Sequence, residues 1–373
     1  METTALINIC AAALVIAGFL SLGIPVFLYQ TPSNEAEKAV PETAFSMVVA
    51  FRNEAGCLPG LFESILAVHY PHHLIELVMC NDHSDDDSKD RVLAFQKTAP
   101  FRVVYCENTN ETGKKAALQT AVTNSSFDTL FFTDADCLIP PNLFNSLNNT
   151  LKKSNSVLIS GPIRYFGDAS LIHQYQCMES AVLMALTADA FRKKNALMAN
   201  GANMCVKKSV FLQAQQVRED LNIPGGDDVF LLEYAMQKLQ TGCIFTGSPE
   251  NMVQTHSEST WSSLMHQRIR WAHKVRFQKG ISGKIWQFFS LAFSIIYIVS
   301  ICLIPFTGWT AAAIMVFGKM TADMAIQMKI SPAFLYKINV FHIAVFSILQ
   351  VFIIFYTGVC ARFGGYVWKG REF

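Results

Sequence analysis

The sequence predicts an α/β protein, a mostly parallel sheet flanked by helices, with long apolar segments on either side of it. Three observations carry that expectation. Residues 41–260 alternate short apolar runs with amphipathic stretches, as a succession of strands and helices does. Residues 6–29 hold no charged side chain and are long enough to cross a bilayer. A second apolar region runs from about Ile285 to Arg362, and 51% of the 373 residues are hydrophobic, more than a purely soluble chain needs.

Within the α/β region the elements follow in order. FSMVVAF (45–51) reads as a buried strand, CLPGLFESILAV (57–68) as a helix and LIELVMC (74–80) as a second strand. The Asp-rich stretch 82–99 opens with capping residues and continues as a helix, with Asp85 to Asp87 serving the cap. FRVVYCE (101–107) is a strand, 113–125 a helix, and FDTLFFTDADC (127–137) a strand running into a turn. Ligands of such sheets gather beyond the carboxyl ends of the strands. The polar clusters FRNEA, NDHSDD and DADC stand at those ends.

The formal net charge of +1 conceals a segregation: acids concentrate between positions 35 and 258, and bases dominate from Arg268 onward. A basic excess beside apolar spans suits anionic headgroups or phosphates rather than nucleic acid, for which no motif is present. The ten cysteines are scattered singly with no CxxC pair, which fits small buried hydrophobes in a reducing compartment and not a zinc site.

Residues 6–29 read as a retained anchor, because Glu2 replaces the basic start of a signal peptide. The second apolar region divides into 285–306, interrupted by Pro305, then 308–328 and 338–359. Lys319 and Asp323 lie four residues apart in the middle segment, spaced to neutralise one another; contact with an acceptor headgroup is the functional alternative. The positive-inside rule places Lys274, Arg276, Lys279 and Lys284 in the cytoplasm. Three complete spans after them would leave Arg362, Lys369 and Arg371 outside, so the tail either breaks the rule or contains a segment that does not cross.

Five features carry the chemistry. Asp134 and Asp136, two apart in an extended segment, can point the same way, and their repulsion suits Mg²⁺ or Mn²⁺ bridging a diphosphate. Asp82 stands where it could hydrogen-bond a base or ribose, with Arg52 and Glu54 at the neighbouring strand end. Lys114 opens a helix from which its ammonium could reach a phosphate. PGGDD (224–228) precedes an amphipathic helix; capping alone explains an Asp there, while the functional reading makes Asp228 a general base. Residues 261–280 form an amphipathic basic-aromatic helix, with Trp261, Trp271 and Phe277 among Arg268, Arg276 and Lys279, fit to lie on anionic lipid. From it Gln267, Arg268, Arg270 and Trp271 could close over a diphosphate. His256 reads as an ordinary core or surface histidine.

In this order the clusters resemble the membrane-bound inverting glycosyltransferases of family 2. That pattern has spaced aspartates, a DxD, a later acidic pair and a Q(Q/R)xRW cluster, matched here by Asp82, Asp134 with Asp136, Asp227-Asp228 and QRIRW at 267–271. WKGR at 368–371 is also similar to the tails of such proteins. The resemblance implies a GT-A (Rossmann-like) nucleotide-sugar-binding domain with N-terminal and C-terminal transmembrane helices. It implies an anchor over 1–30, a linker over 31–44, a catalytic domain over 45–260, an interfacial QxxRW helix over 261–284 and a membrane region over 285–373. By the same resemblance Asp82 contacts the uracil or ribose, Asp134 the nucleotide sugar and Asp136 the metal. Asp228 is the base, QRIRW binds the diphosphate or frames the acceptor, and Gly201-Ala202-Asn203 lies near the acceptor. Two departures stand out: the usual DDGS reads NDHS, with His83 bearing on donor preference, and the acidic pair is Asp-Asp. The implied enzyme moves one sugar from a UDP-sugar to a membrane lipid, a layout similar to ceramide glucosyltransferases, with its catalytic domain in the cytoplasm. The alternatives are a processive polysaccharide synthase, since QxxRW is shared with cellulose and hyaluronan synthases, and a non-catalytic membrane scaffold.

Overall fold

The computed structural model describes residues 2–30, 39–109, 113–195, 197–217, 227–239, 242–275, 277–278, 280–337, 339–364, 367–368 and 371–372. Along the chain, helix α1 (Glu2–Phe27) precedes β1 (Phe45–Phe51), α2 (Leu58–Leu66), β2 (Ile75–Asn81), α3 (Ser88–Thr98) and β3 (Arg102–Glu107). Then come α4 (Lys114–Asn124), β4 (Thr129–Phe132), β5 (Cys137–Leu138), α5 (Leu143–Lys153), β6 (Leu158–Ser160) and β7 (Ile163–Phe166). Helix α6 (Leu171–Arg192) leads to β8 (Met204–Lys207), α7 (Lys208–Gln216), α8 (Asp227–Leu239), β9 (Cys243–Phe245) and β10 (Val253–His256). The chain closes with α9 (Trp261–Val275), α10 (Ile281–Cys302), the single turn α11 (Ile304–Thr307), α12 (Trp309–Phe334) and α13 (Val340–Phe363). It divides into a sheet unit, residues 30–166 with 190–256, and a helical unit, residues 1–29 with 167–189 and 257–373.

In the sheet unit seven strands run in the order β3-β2-β1-β4-β8-β6-β9. Strands β1 to β4 are mutually parallel where they pair, and β8 is antiparallel to both β4 and β6. The nearly unbroken apolar runs of β1 and β2 are what a strand covered on both faces requires. Alternation then sorts their side chains. Phe45, Met47, Val49 and Phe51 face the layer of α2, α3 and α5, whereas Val48, Val78 and Cys80 face α4, α7 and α8. The carboxylate of Glu76, wholly buried in β2, accepts at Oε1 from the Ser46 hydroxyl at 2.5 Å and the Ser126 amide, and its Oε2 lies 3.2 Å from the Arg102 guanidinium as an ion pair. Because β1 sits between β2 and β4, the chain order reverses there, and the carboxyl ends of β1, β2 and β4 border the crevice in which such sheets hold ligands. A second sheet, β5-β10-β7, pairs Thr255 with Cys137 beside Asp136.

In the helical unit α1 packs along α12 so closely that a Cβ on Gly318 would lie 2.7 Å from Val15. Leu264 of α9 is buried among Ile172, Tyr175 and Met178 of α6 and Ile343 and Phe346 of α13. The Lys319 ammonium meets the Asp323 carboxylate at 2.5 Å and Gln350 of α13 at 3.1 Å.

Three expectations change. Among the described residues three helices are long and apolar enough to cross a membrane, over 7–27, 283–302 and 340–363. The expected segment 308–328 is not one of them; it lies in α12, which carries Lys319 and Asp323 within it and Lys329 just beyond. The segment drawn over 285–306 begins earlier, at Ile281, and ends at Cys302; Pro305 lies in the separate turn α11, and Gly308 breaks the path at φ 75°. The basic-aromatic helix stops at Val275 rather than 280; Arg276 and Lys279 lie outside the described residues, as do Pro224, Gly225, Gly226, Lys369 and Gly370.

Candidate active site

The loops after β1 and β2 are clasped together before any ligand is considered. Asn53, left-handed at φ 54°, donates its amide to the Ser84 hydroxyl at 3.0 Å and accepts from the Asp85 amide at 3.0 Å. Asp86 accepts from the amides of Ala55 and Ser88, each at 3.0 Å, so it both caps α3 and ties down the neighbouring loop. Asp85 and Asp87 supply no side-chain cap; the Asp87 N-cap makes none. The clasp fixes the positions of Arg52 and Glu54 on one side and of His83 on the other. His83 is left-handed at φ 60°, a conformation that glycine adopts without strain, and its side chain is 46% exposed.

Asp82 is buried at the end of β2. Its Oδ1 accepts from the Gly113 amide at 2.8 Å and the Asn108 side chain at 3.1 Å, so this carboxylate anchors the start of α4. That anchoring delivers Lys114, the first residue of α4, to Asp134, with which it forms an ion pair. Burial opposes the ammonium, but Asp134, and then Asp227 and Asp228, outweigh it and raise Lys114 above the ordinary lysine value. The ammonium pairs with Asp134 and also feels the charges of Asp227 and Asp228, more than ninety residues on in sequence.

Asp136 follows on the next turn residue but one. Its Oδ2 accepts from the Thr255 hydroxyl at 3.4 Å. Burial, then the charges of Asp134 and Glu54, push its carboxyl above the usual range against the lowering effect of Lys114. An excess of hard carboxylate oxygens over a single ammonium is what a divalent cation such as Mg²⁺ or Mn²⁺ offsets, and the residues present fit one. Among the described residues no three His, Cys, Asp or Glu side chains form a closed ligand set. Asp134 and Asp136 are the carboxylates that could take part in holding such a cation.

Asp228 lies in the first turn of α8. Its Oδ2 accepts from the Gly201 amide at 3.1 Å and its Oδ1 from the Val229 amide at 2.9 Å. The segment bearing Gly201 is stitched in place by Asn203, whose side-chain amide donates to the carbonyls of Pro162 at 2.8 Å and Asn251 at 2.6 Å. Asn203 is 1% exposed. Its side-chain amide, expected near the acceptor, is engaged in holding the Gly201 loop. His256 stacks on Phe166 with ring centroids 4.0 Å apart, an ordinary aromatic contact.

The QRIRW cluster belongs to α9 in the helical unit. Arg268 is buried, paired with Glu179 of α6 at 2.5 Å, hydrogen-bonded to Gln267, and stacked 4.2 Å above the Trp271 ring. Gln267 also donates to Glu258 at 2.9 Å. Arg270 lies on the same helix, half-buried. Sequence reasoning missed Glu179, which stands in no motif, and it named Gly201 without showing that its amide holds Asp228; only the fold brings each to its partner.

The sequence profile of glycosyl transferase family 2 matches residues 46–213, and that of glycosyl transferase family group 2 matches residues 130–357, more than half of the chain. The chain belongs to the family 2 glycosyltransferases. This family 2 chain is 23% identical over 234 residues to the poly-beta-1,6-N-acetyl-D-glucosamine synthase of Staphylococcus epidermidis, a match covering 61% of this chain and 53% of that protein. It therefore spans about half the length of that curated relative. The mannosyltransferase PcManGT from Pyrobaculum calidifontis, solved in complex with GDP-Man and Mn²⁺, has a similar fold. The TM-score is 0.54 at 16% identity, over 95% of this chain and 99% of that one.

Proposed function

We propose that this family 2 glycosyltransferase moves one sugar from a UDP-sugar to a membrane lipid, with inversion at the anomeric carbon. The observation that carries the reading is the Lys114–Asp134 ion pair, formed in the same unit as Asp228 and close enough to it for the Asp228 charge to bear on the ammonium; it brings together a candidate phosphate-binding cation, a candidate metal-binding carboxylate and a candidate base. Asp82, with Arg52 and Glu54 in the clasped loops beside it, takes the nucleoside end of the donor. Asp134 faces the nucleotide sugar. Asp136 with Asp134 holds Mg²⁺ or Mn²⁺, which when bound neutralises the diphosphate and stabilises the departing UDP. Lys114 donates to a diphosphate oxygen.

Asp228 accepts the proton of the acceptor hydroxyl as that oxygen attacks the anomeric carbon from the face opposite UDP. The new carbon–oxygen bond forms as the bond to the diphosphate breaks, and UDP leaves with the electron pair. The Gly201 amide orients Asp228 by occupying one oxygen. Gln267, Arg268, Arg270 and Trp271 serve the diphosphate or the acceptor. The helices over 7–27, 283–302 and 340–363 hold the protein in the membrane, with the catalytic domain on the cytoplasmic side. Residues 1–30, 31–44, 45–260, 261–284 and 285–373 then act as anchor, linker, catalytic domain, interfacial helix and membrane region.

A second reading, a processive polysaccharide synthase, is favoured by the polymer synthase among the curated relatives. Purified protein with Mn²⁺ or Mg²⁺, a panel of UDP-sugars, GDP-mannose as a contrasting donor, and extracted membrane lipids tests the proposal. Lipid-stimulated UDP release from one UDP-sugar supports it. Release only from GDP-mannose, or no metal-dependent release with any donor, contradicts it.

A further inference from the structure

Two carboxylates of the helical unit, Glu179 in α6 and Glu258 shortly before α9, are held by several partners each. The Glu179 side chain is 14% exposed, and both of its oxygens are committed. Oε1 accepts from the Tyr175 hydroxyl at 3.3 Å; Oε2 takes the Arg268 Nε at 2.7 Å and its Nη2 at 2.5 Å. Glu258, the other carboxylate, accepts from Gln267 at 2.9 Å, and its backbone is held by both ends of the Gln176 side-chain amide, at 2.9 and 3.0 Å. Arg268, so fixed, lays its guanidinium 4.2 Å above the indole of Trp271, one helical turn on.

We infer that Glu179 is a positioning residue for sugar transfer, setting the plane of Trp271 through Arg268. Three properties support the assignment. A guanidinium can keep a carboxylate on its edge while its flat face lies on an aromatic ring, so the two contacts are made together. A buried arginine without its carboxylate would carry an uncompensated charge, so α6 and α9 are locked in one arrangement at this point. An indole whose tilt is fixed in advance can offer a flat apolar face to a sugar or a lipid headgroup without first being ordered. Arg268 is thus a link between Glu179 and Trp271, in addition to any contact it makes with a phosphate.

The inference rests on the proposed function in one respect only, that Trp271 faces the acceptor. The test is Glu179→Gln in the full chain, which keeps the side chain's shape and removes its charge. Acceptor KM rises about tenfold, the loss of a single charge-assisted contact, while donor KM and metal-dependent donor hydrolysis keep their wild-type values. A purely structural role would change donor and acceptor parameters together. The brace is also read without turnover, as the acrylamide quenching contributed by Trp271, obtained by difference from Trp271→Phe. That quenching rises in Glu179→Gln. Arg268→Lys retains a positive charge but lacks the planar fork, and gives the same rise, so the test survives if Glu179→Gln folds poorly. Unchanged quenching in either variant, or donor and acceptor KM rising together, overturns the inference. A wild type that transfers sugar to no acceptor refutes the proposed function instead, and the quenching still decides the brace.

Discussion

The Gly201 amide donates to Oδ2 of Asp228 at 3.1 Å, so the candidate base is aimed by a loop that it does not belong to. Capping alone would aim an Asp at the first turn of its own helix, and Oδ1 does accept from Val229 at 2.9 Å. The second oxygen is held across the fold by a loop that Asn203 pins to the carbonyls of Pro162 and Asn251. A side chain held from both sides is preorganised for proton transfer.

Replacing Asp228 with Asn keeps one acceptor oxygen and removes the base. Transfer falls by roughly 10²- to 10⁴-fold, the usual contribution of a general base. Donor affinity, measured by titration calorimetry with the UDP-sugar and Mn²⁺, stays at the wild-type value. Full turnover in Asp228→Asn would show that the base lies elsewhere.

Asp136 gives a pH signature. Burial and the charges of Asp134 and Glu54 raise its folded pKa above the unfolded one. Its favourable contribution is therefore complete below the unfolded carboxylate pKa and is lost as pH rises through the folded one. At neutral pH the metal-free protein carries this carboxylate as a destabilising charge. Asp136→Asn raises Tm at pH 7 in the absence of metal, and the advantage shrinks as pH falls through the carboxylate range. Mn²⁺ raises Tm of the wild type and leaves the variant where it was. Thermal scans of both proteins across pH, with chelator and with Mn²⁺, check each part.

Lys319 and Asp323 form a mostly buried pair inside the helical unit, with side chains 10% and 19% exposed. Removing one partner leaves the other charge uncompensated, whereas removing both removes the need. Lys319→Met lowers stability by about 3–5 kcal/mol, and Lys319→Met combined with Asp323→Leu recovers most of that loss. Thermal stability in detergent separates the two variants; equal losses would mean that the pair does something other than neutralise itself.

Much of the sheet was legible because its signal is local. FSMVVAF and IELVMC are buried strands by their runs of apolar residues, and TLFF announces the turn that bears Asp134 and Asp136. The small sheet β5-β10-β7 was not legible, since strands of two to four residues leave no period to read. Helix α12 was read as a span with Lys319 and Asp323 neutralising one another; the two do pair, and α12 is not among the three helices long and apolar enough to cross a membrane. Motif spacing brought out Lys114, Asp134, Asp136 and Asp228 as candidates without showing that Lys114 pairs with Asp134. Asn203 was placed near the acceptor by resemblance alone; its burial among backbone carbonyls is a tertiary fact with no trace in the adjacent residues. Glu179 stands 89 residues before Arg268, beyond the reach of any local pattern.

The central claim is the transfer of one sugar to a lipid with inversion, and the mass and anomeric configuration of the product test it most directly. Wild-type protein is incubated with the preferred UDP-sugar, Mn²⁺ and membrane lipid, and the lipid fraction is read by mass spectrometry and NMR. The account predicts a lipid heavier by a single sugar residue, with the anomeric configuration opposite to that of the donor. A ladder of sugar additions would establish a polymer synthase in its place, and a retained configuration would contradict Asp228 as the base of a single displacement.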